Sequence, residues 1–140
     1  MGARSSSSSK ISLENASGTI ESDDVFCMRF DGQPDGPVMA KLLDFTAAWA
    51  GTKRRIYIVG DLTKLQGFTY SARKELQAKR IQAGGMIVIC FGTSFHVRII
   101  AEMVWRAATS LGHVPPEVEL YFVKGEKEAR ELLQKKRDGK

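Results

Sequence analysis

Met86-Ile87-Val88-Ile89-Cys90-Phe91 is an unbroken apolar run between Gly84-Gly85 and Gly92. A short run of this kind, bounded by glycine, is typical of a central strand covered on at least one face. Helical spacing precedes it over residues 71–83 and follows it over residues 94–111. Because strands that alternate with helices pair in parallel through right-handed crossovers, this stretch predicts an α/β fold.

The same patterns extend outward along the chain. Residues 11–13 and 19–21 favour a first strand or hairpin arm, and the other predicted strands are residues 25–30, 56–59 and 119–123. The remaining predicted helices are residues 37–50, from Pro37 to a stop at Gly51, and residues 126–136. We therefore predict a single α/β domain with a mixed, mostly parallel sheet of about five strands and about four helices.

The length of 140 residues suits one domain and leaves no room for a separate catalytic domain. Five serines, Ser5 to Ser9, bury nothing, so we expect residues 1–10 to be disordered and residues 11–137 to form the domain. No run of about 18 apolar residues occurs, which excludes a membrane-spanning helix. The start also lacks the apolar core of an export signal, so we expect a cytoplasmic protein.

A second motif follows the strand at residues 56–59. Asp61-Leu62 is followed three residues later by Leu65, Phe68 occupies an apolar position, and Ser71 opens a predicted helix. This segment resembles the Asp/Asn-Leu-x-x-Leu/Val and Asp-Ser-Ser/Thr-Gly motifs of the STAS domain, the SpoIIAA-like fold of bacterial anti-sigma-factor antagonists. The order of elements over residues 11–137 fits the same family.

Three neighbours depart from the family pattern. Thr69 stands in place of the aspartate, Tyr70 in place of the preceding serine, and Ala72 in place of the glycine. The chain is therefore similar to the divergent branch of the family rather than to the established antagonists.

The resemblance implies a non-enzymatic regulatory module that binds a protein partner in bacterial signalling. Ser71 lies in register with the residue that a partner kinase phosphorylates, and the implied switch loop comprises Asp61, Thr69, Ser71 and Arg73. A phosphate would add about −1.5 to −2 charges at a helix N-terminus, with Lys64 and Lys74 also close in sequence.

The alternative is a small-ligand module. A second loop, Gly92-Thr93-Ser94, also leads from a strand into a helix, where exposed backbone N–H groups favour an anion. An anion, a nucleotide or a lipid would then lie between this loop and the Ser71 loop, with Arg98 assisting. Plain helix capping by the same hydroxyls is the simpler explanation of these residues. The sequence implies no resident cofactor.

The long helix after Gly92 has apolar residues on two sides. One stripe, which includes Val97, Ile100 and Val104, should pack on the sheet. Phe95, Ile99 and Met103 fall on the opposite side. They favour an interface with a partner or a second copy, unless the N-terminal segment or a neighbouring helix covers them.

Catalytic and metal chemistry have little support. His96 and His113 are the two histidines, and His96 cannot face Ser94, because helix positions two apart point in different directions. No Cys/His cluster has metal-ligand spacing. Cys27 and Cys90 lie in apolar runs and should behave as small buried residues. We expect no enzyme and no metal site.

The formal charge of +5 is unevenly distributed. Residues 19–52 carry six acids and two bases, a net of −4, whereas residues 53–80 carry eight bases and two acids, a net of +6. The basic excess surrounds the Ser71 loop and its helix. Either it is a solvated helical face, or it meets an acidic protein or an anionic ligand. Nucleic acid is disfavoured, because the basic helix carries only one aromatic residue, Tyr70 at its start, and not the interleaved stacking aromatics of a nucleic-acid reader.

Overall fold

The computed structural model describes residues 9–77, 81–94, 98–99, 101–103, 105–106 and 118–139. Six strands form one sheet: β1 (Lys10–Ser12), β2 (Ala16–Ile20), β3 (Val25–Gly32), β4 (Ile56–Leu65), β5 (Met86–Phe91) and β6 (Val118–Val123). The helices are α1 (Gly36–Ala50), α2 (Tyr70–Gln77), α3, with described helical residues 98–99, 101–103 and 105–106, and α4 (Glu126–Gly139).

The strands lie in the sheet in the same order as in the sequence. β1, β2 and β3 pair antiparallel, whereas β3, β4, β5 and β6 pair in parallel. The structure thus confirms a single α/β domain with a mixed, mostly parallel sheet. Along the chain, α1, α2 and α3 each connect one parallel strand to the next, as parallel pairing requires.

The number of strands differs from the prediction, because the N-terminal segment forms two separate strands. The β1–β2 turn is closed by the Leu13 N–H, which donates to the Ala16 carbonyl at 2.8 Å. β2 contains small and polar residues, so its pattern is weak in the sequence. Gly18 is required there, because a Cβ would lie 3.0 Å from Leu42 Cδ1 of α1 and overlap the Phe26 ring.

Two apolar layers hold the helices on the sheet. One lies under α1 and α2 and includes Phe26, Met39, Leu42, Ile56, Ile58 and Ala72. The other lies under α4 and includes Tyr57, Val59, Ile87, Ile89, Ala129 and Leu133. The α3 residue Arg98 lies over the Phe122 ring at 5.3 Å, and Phe122 packs against the first layer. The central strands β4 and β5 are therefore packed on both faces, which agrees with the expected cover on at least one face of β5.

The largest differences from the predicted boundaries are at the end of β4 and before β5. β4 does not end at Val59 but continues to Leu65, because β3 also continues and pairs Gly32 with Leu65 beyond a register shift. Residues 81–83, predicted to be helical, are not. The chain there is held to the start of β4: the Gly84 N–H donates to the Lys53 carbonyl, and the Ile56 N–H donates to the Gly85 carbonyl.

The remaining predictions concern the ends of the chain and the long helix. α4 begins at the predicted residue and extends to Gly139. Ser94 precedes α3, and most of the residues in the predicted 94–111 helix lie outside the described residues. Ser5 to Ser8 also lie outside them. Ser9 and Lys10, which were expected to be disordered, are instead held to the sheet: the Ser9 carbonyl accepts a hydrogen bond from the Ile20 N–H at 2.8 Å, and Lys10 pairs with Thr19. None of the described helices is long and apolar enough to cross a lipid bilayer.

Candidate functional site

The N-termini of α1 and α2 meet at Ser71. Thr69 caps α2, because its Oγ1 accepts a hydrogen bond from the Ala72 N–H at 3.2 Å. The Ser71 Oγ accepts a hydrogen bond from the Gly36 N–H at 2.9 Å and lies 3.2 Å from Thr69 Oγ1. Ser71 is exposed, so its hydroxyl is both a structural link between two helices and a surface group.

The junction is closely packed. A Cβ at Gly36 would lie 2.8 Å from Ser71 Oγ and 2.9 Å from Ser71 Cβ, so a glycine is needed at the start of α1. Asp35 caps α1 by accepting a hydrogen bond from the Val38 N–H at 3.1 Å. The Asp35 carboxylate therefore lies at the same junction as the Ser71 hydroxyl.

Beside the junction, Tyr70 projects into solvent with 68% of its surface exposed. The Arg73 guanidinium and the Lys74 ammonium lie 5.9 and 5.7 Å from its ring centroid. Arg73 Nη1 also donates to the Phe68 carbonyl at 2.8 Å, which fixes the guanidinium near the start of the helix. We call Tyr70, Ser71, Arg73 and Lys74 the Tyr70 surface.

Tyr70 is not among the residues of the predicted switch loop. The spacing in the sequence does indicate that Tyr70 clusters with two cations, because Arg73 and Lys74 follow it at positions i+3 and i+4 of a helix, where side chains are neighbours. The pattern alone does not reveal that the ring is uncovered, since that depends on the packing of α2 against α1.

Asp61 does not join the other residues predicted for the switch loop. It lies within β4, and because side chains alternate along a strand, it faces the α4 side together with Val59. Its carboxylate lies 3.4 Å from Arg29 Nε and accepts a hydrogen bond from the Thr63 N–H at 3.0 Å. The structure brings together Thr69, Ser71 and Arg73 on the opposite face.

The second predicted loop has a tight backbone. Gly92 has a φ of +77°, and a Cβ there would overlap Thr63 of β4. The Thr93 Oγ1 is buried and has no hydrogen-bond partner among the described residues. Ser94 is exposed. Arg98 pairs with Glu102 at 3.2 Å, so its charge is already balanced within α3.

The predicted interface on α3 is visible in part. Ile99 and Met103 are 41% and 60% exposed. Phe95 lies outside the described residues, as do His96 and His113. An interface through Ile99 and Met103 with a partner or a second copy stays a prediction.

A polar pocket of about 300 Å³ lies on the α4 side of the sheet, and sequence analysis did not find it. We call it the α4 pocket. Its lining comes from β1 to β5 and the first turns of α4, and includes Lys10, Ser17, Thr19, Cys27, Asp61 and Arg130. No local motif marks it, because its lining residues are spread along the whole sequence.

Cys27 forms part of the pocket wall as a protonated thiol. Its Sγ lies 2.9 Å from Glu21 Oε1, and Arg130 binds the same carboxylate at 2.7–2.8 Å. Burial, with the Glu21 carboxylate assisting, raises the pKa of Cys27 to about 11. The thiol is therefore a poor nucleophile. No three His, Cys, Asp or Glu side chains in the described ranges are placed to share a metal ion.

Comparison with known proteins supports the fold. No family model and no curated protein matches the chain. Among solved structures, it is similar to an uncharacterised protein of the DUF3478 family from Shewanella loihica PV-4, described as having a SpoIIAA-like fold. The two share 20% identity with a TM-score of 0.54, over 88% of this chain and 97% of the other. This chain is a single α/β domain with a SpoIIAA-like fold, as its loop motif predicts.

Proposed function

We propose that this chain is a non-enzymatic STAS-like regulatory module that binds an acidic protein partner in bacterial signalling through the Tyr70 surface. The main support for this proposal is that Tyr70 is 68% exposed and that two cationic side chains, Arg73 and Lys74, lie over its ring. Tyr and Arg are the residue types that most often dominate binding energy at interfaces. Because Arg73 is already anchored to the Phe68 carbonyl, it loses little conformational entropy when a partner binds.

Charge gives the expected chemistry of the partner. The segment from residue 53 to residue 80 carries a net charge of +6, and it contains the whole Tyr70 surface. Carboxylates on a partner would pair with Arg73 and Lys74 while an apolar group packs on the tyrosine ring. Complementary charge of this kind mainly accelerates association and selects the partner.

Ser71 is the proposed control point of this surface. A phosphate on its hydroxyl would add about −1.5 to −2 charges next to Arg73 and Lys74, which reduces their attraction for an acidic partner. Phosphorylation should therefore weaken docking.

The ligand alternative has less support. It requires Arg98 to reach an anion at the Gly92 loop, but Arg98 already pairs with Glu102 and stacks on Phe122. Among the described residues, the buried Thr93 hydroxyl, which has no hydrogen-bond partner, favours it. A thermal-shift titration with nucleotides and inorganic phosphate tests it, since a ligand that binds the folded state raises the unfolding temperature.

Affinity capture from a lysate of the native host tests the docking proposal. Immobilised wild-type chain is compared with Tyr70→Ala and with Lys127→Ala, an exposed control on α4. We expect one protein to be retained by the wild type and the control, and at least about tenfold less of it by Tyr70→Ala, as for a hot-spot residue. Equal recovery on all three columns would contradict docking at this surface.

A parallel experiment tests control at Ser71. The chain is incubated with ATP and host lysate, and its peptides are analysed by mass spectrometry. We expect a phosphate on Ser71, and weaker capture of the partner by Ser71→Asp than by Ser71→Ala. Absence of the modification, together with equal capture by both variants, would refute the switch while leaving the docking proposal intact.

A further inference from the structure

Four hydrogen-bond donors lie side by side on the α4 face of β1, β2 and β3. In the strand register Lys10 is directly opposite Thr19, and Ser17 is directly opposite Arg29. Ser17 and Thr19 are two residues apart on β2, so their side chains lie on the same face. All four line the α4 pocket. We call them the donor patch.

The donor patch is largely unpartnered. In the part of the chain that the structure describes, the Lys10 ammonium and the hydroxyls of Ser17 and Thr19 make no side-chain hydrogen bond or ion pair. Arg29 contacts Asp61 through Nε, at 3.4 Å, and its side chain is 73% exposed. The two terminal nitrogens of its guanidinium are therefore available to a ligand.

The other charges near the pocket are already balanced. Arg130 lies between Glu21, at 2.7 Å, and Glu126, at 3.8 Å. Cys27 contributes a neutral thiol, as its raised pKa indicates. Among the described residues that line the pocket, Lys10 is the cation with no ion-pair partner. Arg29 is paired with Asp61 through Nε alone, so its two terminal nitrogens can still bind an anion. The Asp61 and Glu126 carboxylates supply hydrogen-bond acceptors at the rim.

We propose that the α4 pocket binds a small phosphate monoester that also carries hydroxyl groups. The phosphate would lie on the donor patch, where its three terminal oxygens and charge of about −1.5 to −2 match two cations and two hydroxyl donors better than a carboxylate does. The ligand hydroxyls would donate to Asp61 and Glu126.

Position and size agree with this assignment. Arg29, Asp61 and Phe91 are adjacent in register in the carboxyl-terminal halves of β3, β4 and β5, toward the end of the sheet where open α/β folds bind ligands. The volume of about 300 Å³ lies at the lower end of small-molecule sites and fits a short phosphorylated polyol. This site is on the face opposite the Tyr70 surface, so it does not depend on the docking proposal.

Titration of the isotopically labelled chain with glycerol 3-phosphate, followed by amide NMR and calorimetry, tests the inference. We expect saturable shifts at the amides of residues 17–19 and 27–29, tighter binding than that of inorganic phosphate, and no binding of glycerol. Lys10→Gln and Arg29→Gln should each weaken binding by about tenfold, as expected for a charged hydrogen bond. Arg54→Gln, an exposed control away from the pocket, should change nothing.

Because the substituted side chains are exposed, the variants should keep the thermal stability of the wild type. Shifts confined to the Gly92 loop or the Tyr70 surface would overturn the assignment, as would no binding by glycerol 3-phosphate or glucose 6-phosphate. Equal binding of inorganic phosphate and the esters would overturn the hydroxyl contribution. Loss of binding by Arg54→Gln equal to that by Arg29→Gln would show nonspecific charge attraction and refute the site.

Discussion

Ser71 combines two roles that usually belong to different residues. Its hydroxyl accepts the Gly36 N–H, one of the backbone donors that a helix start leaves unpaired, and it also faces solvent. A change at this single oxygen therefore reaches both the α1–α2 junction and the surface offered to a partner. The same bond makes Ser71 testable by stability as well as by binding.

Ser71→Ala should lower the free energy of unfolding by about 1 kcal/mol, because the part-buried Gly36 N–H loses its acceptor. Chemical denaturation measures the change. Ser12→Ala is the matched control, since Ser12 is exposed and its hydroxyl has no partner among the described residues. Equal stability of the two variants would contradict a structural role for the Ser71 hydroxyl.

The two cysteines predict a dependence of stability on alkaline pH. Burial raises the pKa of Cys90 to about 12, and burial with the Glu21 interaction raises that of Cys27 to about 11, from 9.0. Above pH 9 the unfolded chain loses thiol protons that the folded chain retains. The stability they contribute is complete below pH 9 and is lost as pH rises through the folded pKa values.

Denaturation of the wild type and the Cys27→Ala/Cys90→Ala variant between pH 7 and pH 11 measures this contribution. The free energy of unfolding should fall more steeply above pH 9 in the wild type than in the double variant, whose other titrating groups are unchanged. Parallel pH profiles would show that the thiols titrate alike in the folded and unfolded chains.

At the scale of elements, α4 is held to the sheet mainly by apolar packing. Ala129 and Leu133 are buried against β4 and β5, whereas its ion pairs to Glu21, Asp24 and Glu119 are half-exposed. Half-exposed pairs contribute little, because water and salt screen them. The cations of α4 therefore orient the helix more than they stabilise it.

Leu133→Ala should destabilise the fold by about 3 kcal/mol, the usual cost of deleting a buried leucine side chain. Arg137→Ala, which removes the 3.2 Å contact to Asp24, should cost no more than about 1 kcal/mol. Urea denaturation compares the two. A larger loss for Arg137→Ala would mean that ion pairs, rather than packing, hold α4 in place.

For the molecule as a whole, the charge pattern should make docking depend on salt. The +6 segment that contains the Tyr70 surface attracts an acidic partner over about 10 Å at 0.1 M salt and over much less at higher salt. Once the captured partner is purified, its association rate should fall by about tenfold between about 0.05 M and 0.5 M salt. In the variant Arg73→Gln/Lys74→Gln, the association rate should depend less on salt concentration. An unchanged salt dependence would show that these residues do not contribute to the interface.

How far the sequence predicts this fold depends on how apolar each segment is. β5 and α4 were predicted at nearly their observed bounds, because apolar periodicity within each segment decides them. β2 and the end of β4 were not, because Ser17, Thr19 and Lys64 are polar and their pairing is set by neighbouring strands. Pairing with a neighbouring strand depends on the tertiary fold, so the local sequence pattern does not predict these strand boundaries.

The parts of the candidate sites that are close in sequence could be predicted, and the parts that come together only in the fold could not. The loop motif brought Thr69, Ser71 and Arg73 together, because they are close in sequence. Asp61 lies apart from them, because β4 extends through it and places its carboxylate on the other face. The α4 pocket was missed altogether, since Lys10, Arg29 and Arg130 converge only after three strands and a helix have packed.

Site-specific photo-cross-linking at position 70 tests the docking account most directly. Tyr70→p-benzoylphenylalanine is expressed in the native host and irradiated, with Lys127→p-benzoylphenylalanine as the control on α4. We expect one acidic protein to be cross-linked from position 70 and not from position 127, and its yield to fall in a Ser71→Asp background. The same products from both positions, or none from position 70, would contradict the central claim that the Tyr70 surface binds a protein partner.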